Sequence, residues 1–140
     1  MGDRVSIQFI DNDGDKSPVL FHHWGGTYFP KFALAWFREL KSKLKESDKD
    51  PITRLESRNI IVQFISYLKN MKELRECIGF EKDEKGKDTI GKPIYSDELL
   101  SHSIYMGTDE NDGDNSDNGH YIIYTQKNEM FNDKGEKIEL

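Results

Sequence analysis

The sequence SPVLFHHWGGTYFPKFALAWF, Ser17–Phe37, contains both tryptophans and two of the four histidines of the chain. Within it, the apolar and aromatic run Val19–Trp24 lies between a proline and two glycines, which is typical of a strand. Apolar residues then recur at helical spacing, after a threonine that can cap a helix. The stretch therefore predicts a strand, a sharp glycine corner and a first helix over Tyr28–Glu46.

The corner is the first candidate for a functional site. Strand side chains alternate between the two faces of a sheet, so His22 and His23 cannot both point into one site. Gly25, Gly26 and Thr27 precede the helix, where free backbone N–H groups can bind an anion and either histidine could act as an acid or base. The alternative is a closely packed connection without a site. We favour it, because two adjacent glycines are far less specific than a complete phosphate-loop motif.

One of the two corner glycines is expected to need a positive φ, because the chain must turn from strand to helix within a few residues. A β-branched residue is poorly tolerated in that conformation. If His22 and His23 are partly exposed strand residues, we expect Gly26→Val to destabilise the fold more than alanine at either histidine.

Alternating apolar and polar residues mark the strands of the chain. The four predicted strands are Arg4–Ile10, Val19–Trp24, His102–Met106 and His120–Thr125. A second helix is predicted from Pro51, which follows an aspartate N-cap, to Gly79. This ββααββ order predicts an α+β fold: a four-stranded, largely antiparallel sheet of two hairpins, with both helices packed on one face. Residues Asn128–Leu140 are expected to fray or to form a short hairpin.

The segment Gly107–Gly119 consists almost wholly of Asp, Asn, Gly, Ser and Glu. It cannot bury apolar surface, so we expect a flexible acidic loop. Asp114, Ser116 and Asn118 match the opening of a calcium loop, and Asp112 adds a further carboxylate. The twelfth position of a calcium loop carries a bidentate Glu, which is missing here, and no helices are predicted on either side of the loop. A mobile hairpin tip is therefore favoured over a divalent-metal site, and no metal is assigned.

The remaining ligand patterns are weaker. Asp11, Asp13 and Asp15 fit a polar turn between two strands, since the glycine among them is misplaced for a calcium loop. The four histidines lack the spacing of a metal or protease motif, although histidines from different strands could converge. Cys77 is the single cysteine, which excludes an internal disulfide and agrees with a reducing compartment. We expect no cofactor.

The bulk composition limits the class of protein. A chain of 140 residues suits one domain, residues 1–140. A net charge of −6 argues against broad binding to the phosphate backbone of nucleic acids, which needs a basic face. No apolar run approaches the length of a membrane span, and no secretion signal is recognisable. We therefore expect a soluble cytoplasmic protein that does not bind a membrane.

The stretch VLFHHWGGTYFP, Val19–Pro30, resembles one in small uncharacterised proteins of prokaryotes and their phages. The resemblance implies a compact cytosolic protein and carries over no activity.

Two classes of function are left open. The first is a binding or assembly module that self-associates or binds a protein partner. No catalytic motif is present, and aromatic residues, 11% of the chain, can anchor an interface. The second is a small hydrolase with its site at the corner His22–Thr27, where a histidine would act as the base and the backbone amides would hold the anion.

Overall fold

The computed structural model describes residues 2–44, 52–69 and 104–140. Its elements are β1 (Val5–Ile10), β2 (Val19–His22), α1 (Tyr28–Ser42), α2 (Ser57–Lys69), β3 (Ile104–Gly107), β4 (His120–Tyr124), β5 (Glu129–Asn132) and β6 (Lys137–Ile138). The α+β class expected from the sequence is confirmed. Residues 70–79 of the second predicted helix and 102–103 of the third predicted strand lie outside the described residues.

Among the described residues the sheet has six strands in the order β3-β2-β1-β4-β5-β6, so the prediction of a four-stranded, largely antiparallel sheet is wrong. At its centre β1 pairs antiparallel with β2 but parallel with β4. The predicted hairpin of His102–Met106 with His120–Thr125 does not form either, because β3 lies beside β2 whereas β4 lies beside β1. Alternation within a run shows which residues share a face. It does not show which run lies alongside, or in which direction.

Both helices cover one face of the sheet. Alternate residues of β1, Val5, Ile7 and Phe9, point to this face and are fully buried. The ring of Phe9 lies 6.4 Å from that of Trp36 in α1 and 6.3 Å from that of Phe64 in α2, measured between centroids. The main core therefore lies between the two helices and this helix-covered face.

α2 begins at Ser57, later than the predicted start at Pro51. Leu55 adopts a positive φ of 59° just before the helix. The carboxylate of Asp11, in the β1–β2 turn, accepts the N–H of Ser57 at 3.1 Å and caps α2 from a distant part of the chain. Local sequence could not reveal this partner. Neither helix, over its described length, is both long and apolar enough to cross a membrane.

The opposite face of the sheet is covered on its β1–β2 half by residues 108–118, which we call the acidic loop. A Cβ built on Gly113 would lie 2.8 Å from the ring of Phe21, so the loop main chain rests directly on β2. Asn115 donates a hydrogen bond from its Nδ2 to Ser6 Oγ of β1 at 2.9 Å. The β4–β5 half of this face borders a cavity.

Candidate functional site

His22, one of the two candidate catalytic histidines, is fully buried on the helix-covered face. Its ring meets that of Phe29 with centroids 4.7 Å apart, and its Nδ1 accepts the N–H of Trp24 at 3.1 Å. Burial, and to a smaller extent the neighbouring His23, lowers the pKa of His22 to about 4. The ring is therefore uncharged at neutral pH. His23 is half-buried and packs against Trp24, with ring centroids 4.7 Å apart, so the two histidines have different surroundings.

The backbone of the corner makes contacts within the protein. Gly26 has a φ of 60°, and its N–H donates to the carbonyl oxygen of Asp3 at 2.8 Å. A Cβ built on Gly26 would lie 2.7 Å from the carboxylate of Asp3, so a negative charge lies close to the corner. A Cβ built on Gly25 would lie 2.7 Å from Val5 Cγ1 in the core. Thr27 is exposed and makes no capping hydrogen bond with its side chain. The anion-binding role of these residues stays a prediction.

The metal-ligand candidates of the acidic loop use their polar atoms on protein groups. Asp112 accepts two backbone N–H groups of the loop, at 2.6 and 3.1 Å. Asp114 accepts the N–H of Ser116 at 3.0 Å and pairs with Arg4 at 3.1 Å. Asn118 donates to the carbonyl oxygen of Arg4 at 3.1 Å. The loop is thereby tied to itself and to the chain before β1. Its mobility and its affinity for a divalent ion stay predictions.

The structure brings Asp11, Asp13 and Asp15 together in the β1–β2 turn, with one carboxylate oxygen of each within 4.8 Å of the others. Asp11 accepts the N–H groups of Asp13 and Asp15 as well as that of Ser57. Asp15 lies 3.4 Å from Arg58. These contacts explain why the three aspartates lie together: they form a turn that caps α2.

A buried chain of hydrogen bonds links β1 to β4 on the opposite face. Ser6 Oγ lies 2.7 Å from His120 Nδ1, and His120 Nε2 lies 3.3 Å from Gln8 Oε1. Gln8 Nε2 donates to the carbonyl oxygen of Ser17 at 2.9 Å, and Asn115 Nδ2 donates to Ser6 Oγ at 2.9 Å. Ser6, Gln8 and His120 are each at most 6% exposed. We call Asn115, Ser6, His120 and Gln8 the polar relay.

One protonation state satisfies every member of the polar relay. The amide N–H of Gln8 is used on Ser17, so its Oε1 is the acceptor and His120 Nε2 carries the proton. His120 Nδ1 is then a bare acceptor for the hydroxyl proton of Ser6, whose oxygen accepts from Asn115. This assignment follows from the donors and acceptors present. It requires a neutral imidazole.

The electrostatic surroundings of His120 agree with this neutral form. Burial lowers the pKa of His120, and the carboxylates of Glu110 and Asp133 act in the opposite direction. Both carboxylates therefore lie close enough to His120 to influence its charge.

A cavity of about 480 Å³ lies beside His120 on the β4–β5 half of the face, and we call it the sheet-face pocket. Its lining includes Glu110, His120, Ile122, Tyr124, Phe131 and Asp133. The volume falls within the range of sites that hold small molecules or single side chains.

One wall of the sheet-face pocket is apolar and aromatic. Ile122 of β4 lies opposite Phe131 of β5, and the rings of Tyr124 and Phe131 meet edge to face with centroids 5.7 Å apart. Both rings are only half-buried. The ammonium of Lys127 lies 5.7 Å from the centre of the Tyr124 ring, so this wall already holds one cation.

Sequence reasoning missed the polar relay and the sheet-face pocket. Ser6 and Gln8 were visible only as the polar side of a half-buried strand, and His120 as the first residue of another. Their meeting depends on the parallel pairing of β1 with β4, in which Ser6 lies opposite His120. The available signal was a histidine that begins an otherwise apolar and aromatic strand.

Comparison of the chain with protein-family models, with curated proteins and with solved structures gives no match. The likeness of Val19–Pro30 to a stretch of small prokaryotic and phage proteins therefore stays a prediction.

Proposed function

We propose that this protein is a cytosolic binding module of a prokaryote or its phage, which holds another protein chain at the sheet-face pocket. One observation carries the proposal: the pocket joins a half-buried aromatic wall to a rim of charged groups on the sheet face that the helices leave uncovered. Aromatic pockets of this kind receive the anchor side chains that supply most of the energy of a protein interface.

The rigid base of the pocket favours binding. β4, which carries three of the lining residues, is paired on both sides, with β1 and with β5. The polar relay also ties the ring of His120 to Ser6 and Gln8 of β1. A pre-formed pocket loses little conformational entropy when a ligand enters, which favours affinity.

Small neutral probes test the pocket directly. Phenol and isopropanol are expected to shift the NMR signals of Ile122 and Phe131, and not that of Gly26 at the closely packed corner. Ile122→Trp should fill the pocket and abolish the shifts. Val62→Trp is the matched control, because Val62 is 57% exposed on α2. Probes that shift the corner and leave the pocket unchanged would reject the pocket as the binding site.

Sedimentation at several protein concentrations identifies the kind of partner. A second copy at the pocket would raise the average mass with concentration, and Ile122→Trp would prevent the rise. A mass that stays at that of one chain would assign the pocket to a different protein.

A second function, a small hydrolase, is supported by the 2.7 Å contact between Ser6 Oγ and His120 Nδ1. In that case His120 would take the hydroxyl proton as the oxygen attacks an acyl carbon, and would give that proton to the leaving group as its bond to the acyl carbon breaks. Ser6 is fully buried and accepts a hydrogen bond from Asn115, so the acidic loop would have to move first. A fluorophosphonate probe is the test. Labelling that Ser6→Ala and His120→Gln both abolish would place the hydrolase first. The alternative hydrolase site at His22–Thr27 stays a prediction.

A further inference from the structure

Most carboxylates of the described residues already have a partner. Those of Glu129 and Asp114, for example, pair with Lys137 at 2.8 Å and with Arg4 at 3.1 Å. Within residues 2–44, 52–69 and 104–140, the side-chain carboxylates without a hydrogen bond or an ion pair are those of Asp13, Glu110 and Asp133. Two of these three, Glu110 and Asp133, line the sheet-face pocket.

The two carboxylates approach the same end of the pocket from different sides. β5 ends at Asn132, opposite Tyr121 of β4, and a Cβ built on Gly119 would lie 3.0 Å from a carboxylate oxygen of Asp133, so Asp133 lies at the His120 end of β4. Glu110 comes from the acidic loop on the β1 side, where Asn115 Nδ2 donates to its carbonyl oxygen at 3.1 Å. Both carboxylates also raise the pKa of His120, which agrees with their closeness to the ring.

The rest of the pocket leads away from this acidic end along β4. His120 and Tyr124 are four residues apart, which is about 13 Å in an extended strand. Ile122 and Phe131 lie between them and offer an apolar surface. A long side chain with an apolar stem and a charged end matches this sequence of surfaces.

We propose that the sheet-face pocket binds an arginine side chain from a basic segment of a different protein. The stem packs along Ile122 and Phe131, and the guanidinium lies between Glu110 and Asp133. A planar guanidinium donates from several edges and can pair with carboxylates on both sides, which a lysine ammonium does less well. The net charge of −6 attracts a basic partner and repels a second copy of this chain. This inference rests on the proposed function, since it names the partner of the same pocket.

Two short peptides, acetylated and amidated, test the proposal by NMR titration. One has a central arginine between Gly-Ser and Ser-Gly, and the other has citrulline, which keeps the shape but lacks the charge. We expect the arginine peptide to shift the signals of Ile122 and Phe131 and to bind at least about tenfold more tightly than the citrulline peptide. Equal affinities for the two peptides would overturn the proposal.

Matched double variants separate the pocket from the general charge of the protein. Glu110→Gln with Asp133→Asn should remove the preference for arginine. Asp13→Asn with Glu39→Gln changes the net charge equally at exposed positions outside the pocket, and should keep the preference. Equal loss in both double variants would overturn the proposal in favour of non-specific attraction.

The outcomes also separate this inference from the proposed function. If phenol shifts the pocket signals but the arginine peptide shows no preference over the citrulline peptide, the inference is rejected and the pocket remains the binding site. If neither phenol nor either peptide shifts those signals, both the inference and the proposed function are rejected.

Discussion

His22 and His120 are both buried histidines on strands, yet they lie on opposite faces of the sheet. His22 is surrounded by close packing: its ring meets Phe29, and the glycine corner beside it has no room for a Cβ at Gly25. His120 is surrounded by hydrogen bonds and borders a cavity. Burial lowers the pKa of both rings. The neighbours therefore distinguish a core histidine from a site histidine, and burial alone does not.

The largest expected effect on the free energy of unfolding is that of a substitution at His22, the core histidine of this comparison. His22→Ala removes a fully buried ring and one hydrogen bond, so the free energy of unfolding should fall by about 3–4 kcal/mol. His23→Ala is the matched control, because the half-buried neighbour should cost about 1 kcal/mol or less. Urea melts at neutral pH measure both. Equal effects of the two variants would mean that His22 contributes no more packing than its neighbour.

Lowering the pH should reveal how much the neutral ring of His22 contributes to stability. The folded pKa of His22, about 4, lies below its ordinary value of 6.5, so the unfolded chain binds the proton first as the pH falls. The neutral ring makes its full contribution to the free energy of unfolding above pH 6.5, and this contribution is lost as the pH falls from 6.5 to about 4. The loss should reach up to about 3 kcal/mol.

Urea melts across this pH range, with His22→Leu as an apolar side chain that cannot titrate, measure the contribution of His22. His120 acts in the same direction, because burial also lowers its pKa. A parent and a His22→Leu variant with the same pH dependence would assign the loss to other groups.

The glycine corner should show a smaller effect. Gly26→Val places a β-branched residue at a φ of 60°, which should cost about 2 kcal/mol. The new Cβ would approach only the exposed Asp3 side chain, which can move, so backbone strain is the main cost. Because His22 is buried, we expect His22→Ala to lower the free energy of unfolding more than Gly26→Val does. This is the reverse of the order expected from sequence. Gly26→Ala should cost less than valine, and a valine variant as stable as the parent would show an unstrained corner.

The smallest expected effect is at the polar relay. Asn115→Ala removes a hydrogen bond to buried Ser6 and should cost about 1 kcal/mol. It should also speed amide exchange in the acidic loop relative to α2. Asn111→Ala is the matched control, since its exposed side chain makes no hydrogen bond among the described residues. Identical exchange in the two variants would show that Asn115 does not hold the loop, and would favour the mobility expected from its composition.

Local pattern predicted the pieces of the fold better than their arrangement. Alternation identified β1 and β4, and the alternate apolar residues of β1, Val5, Ile7 and Phe9, are buried together beneath the helices. The parallel pairing of β1 with β4 was beyond such reasoning, because pairing depends on the free energy of the whole sheet. The predicted start of α2 was wrong for the same reason, since the N–H of Ser57 is capped by the distant carboxylate of Asp11.

The candidate site was predictable in its parts only. The residues of the corner were singled out because they lie among aromatic residues in the sequence. In the structure those aromatic side chains pack closely, and Phe29 lies against His22. Ser6 and His120 carried little signal singly, because a serine and a histidine on strands are ordinary. Their contact arises from register between strands that local spacing does not link.

The separation of Ser6 and His120 by 114 positions along the chain has a consequence for how the protein is made. At typical rates of synthesis, β1 waits roughly 6–23 s for the strand that completes its second side. During that time its backbone is an open template for other strands, and Ser6 and Gln8 lack the histidine that will satisfy them. A newly made chain is therefore most vulnerable to aggregation before β4 emerges.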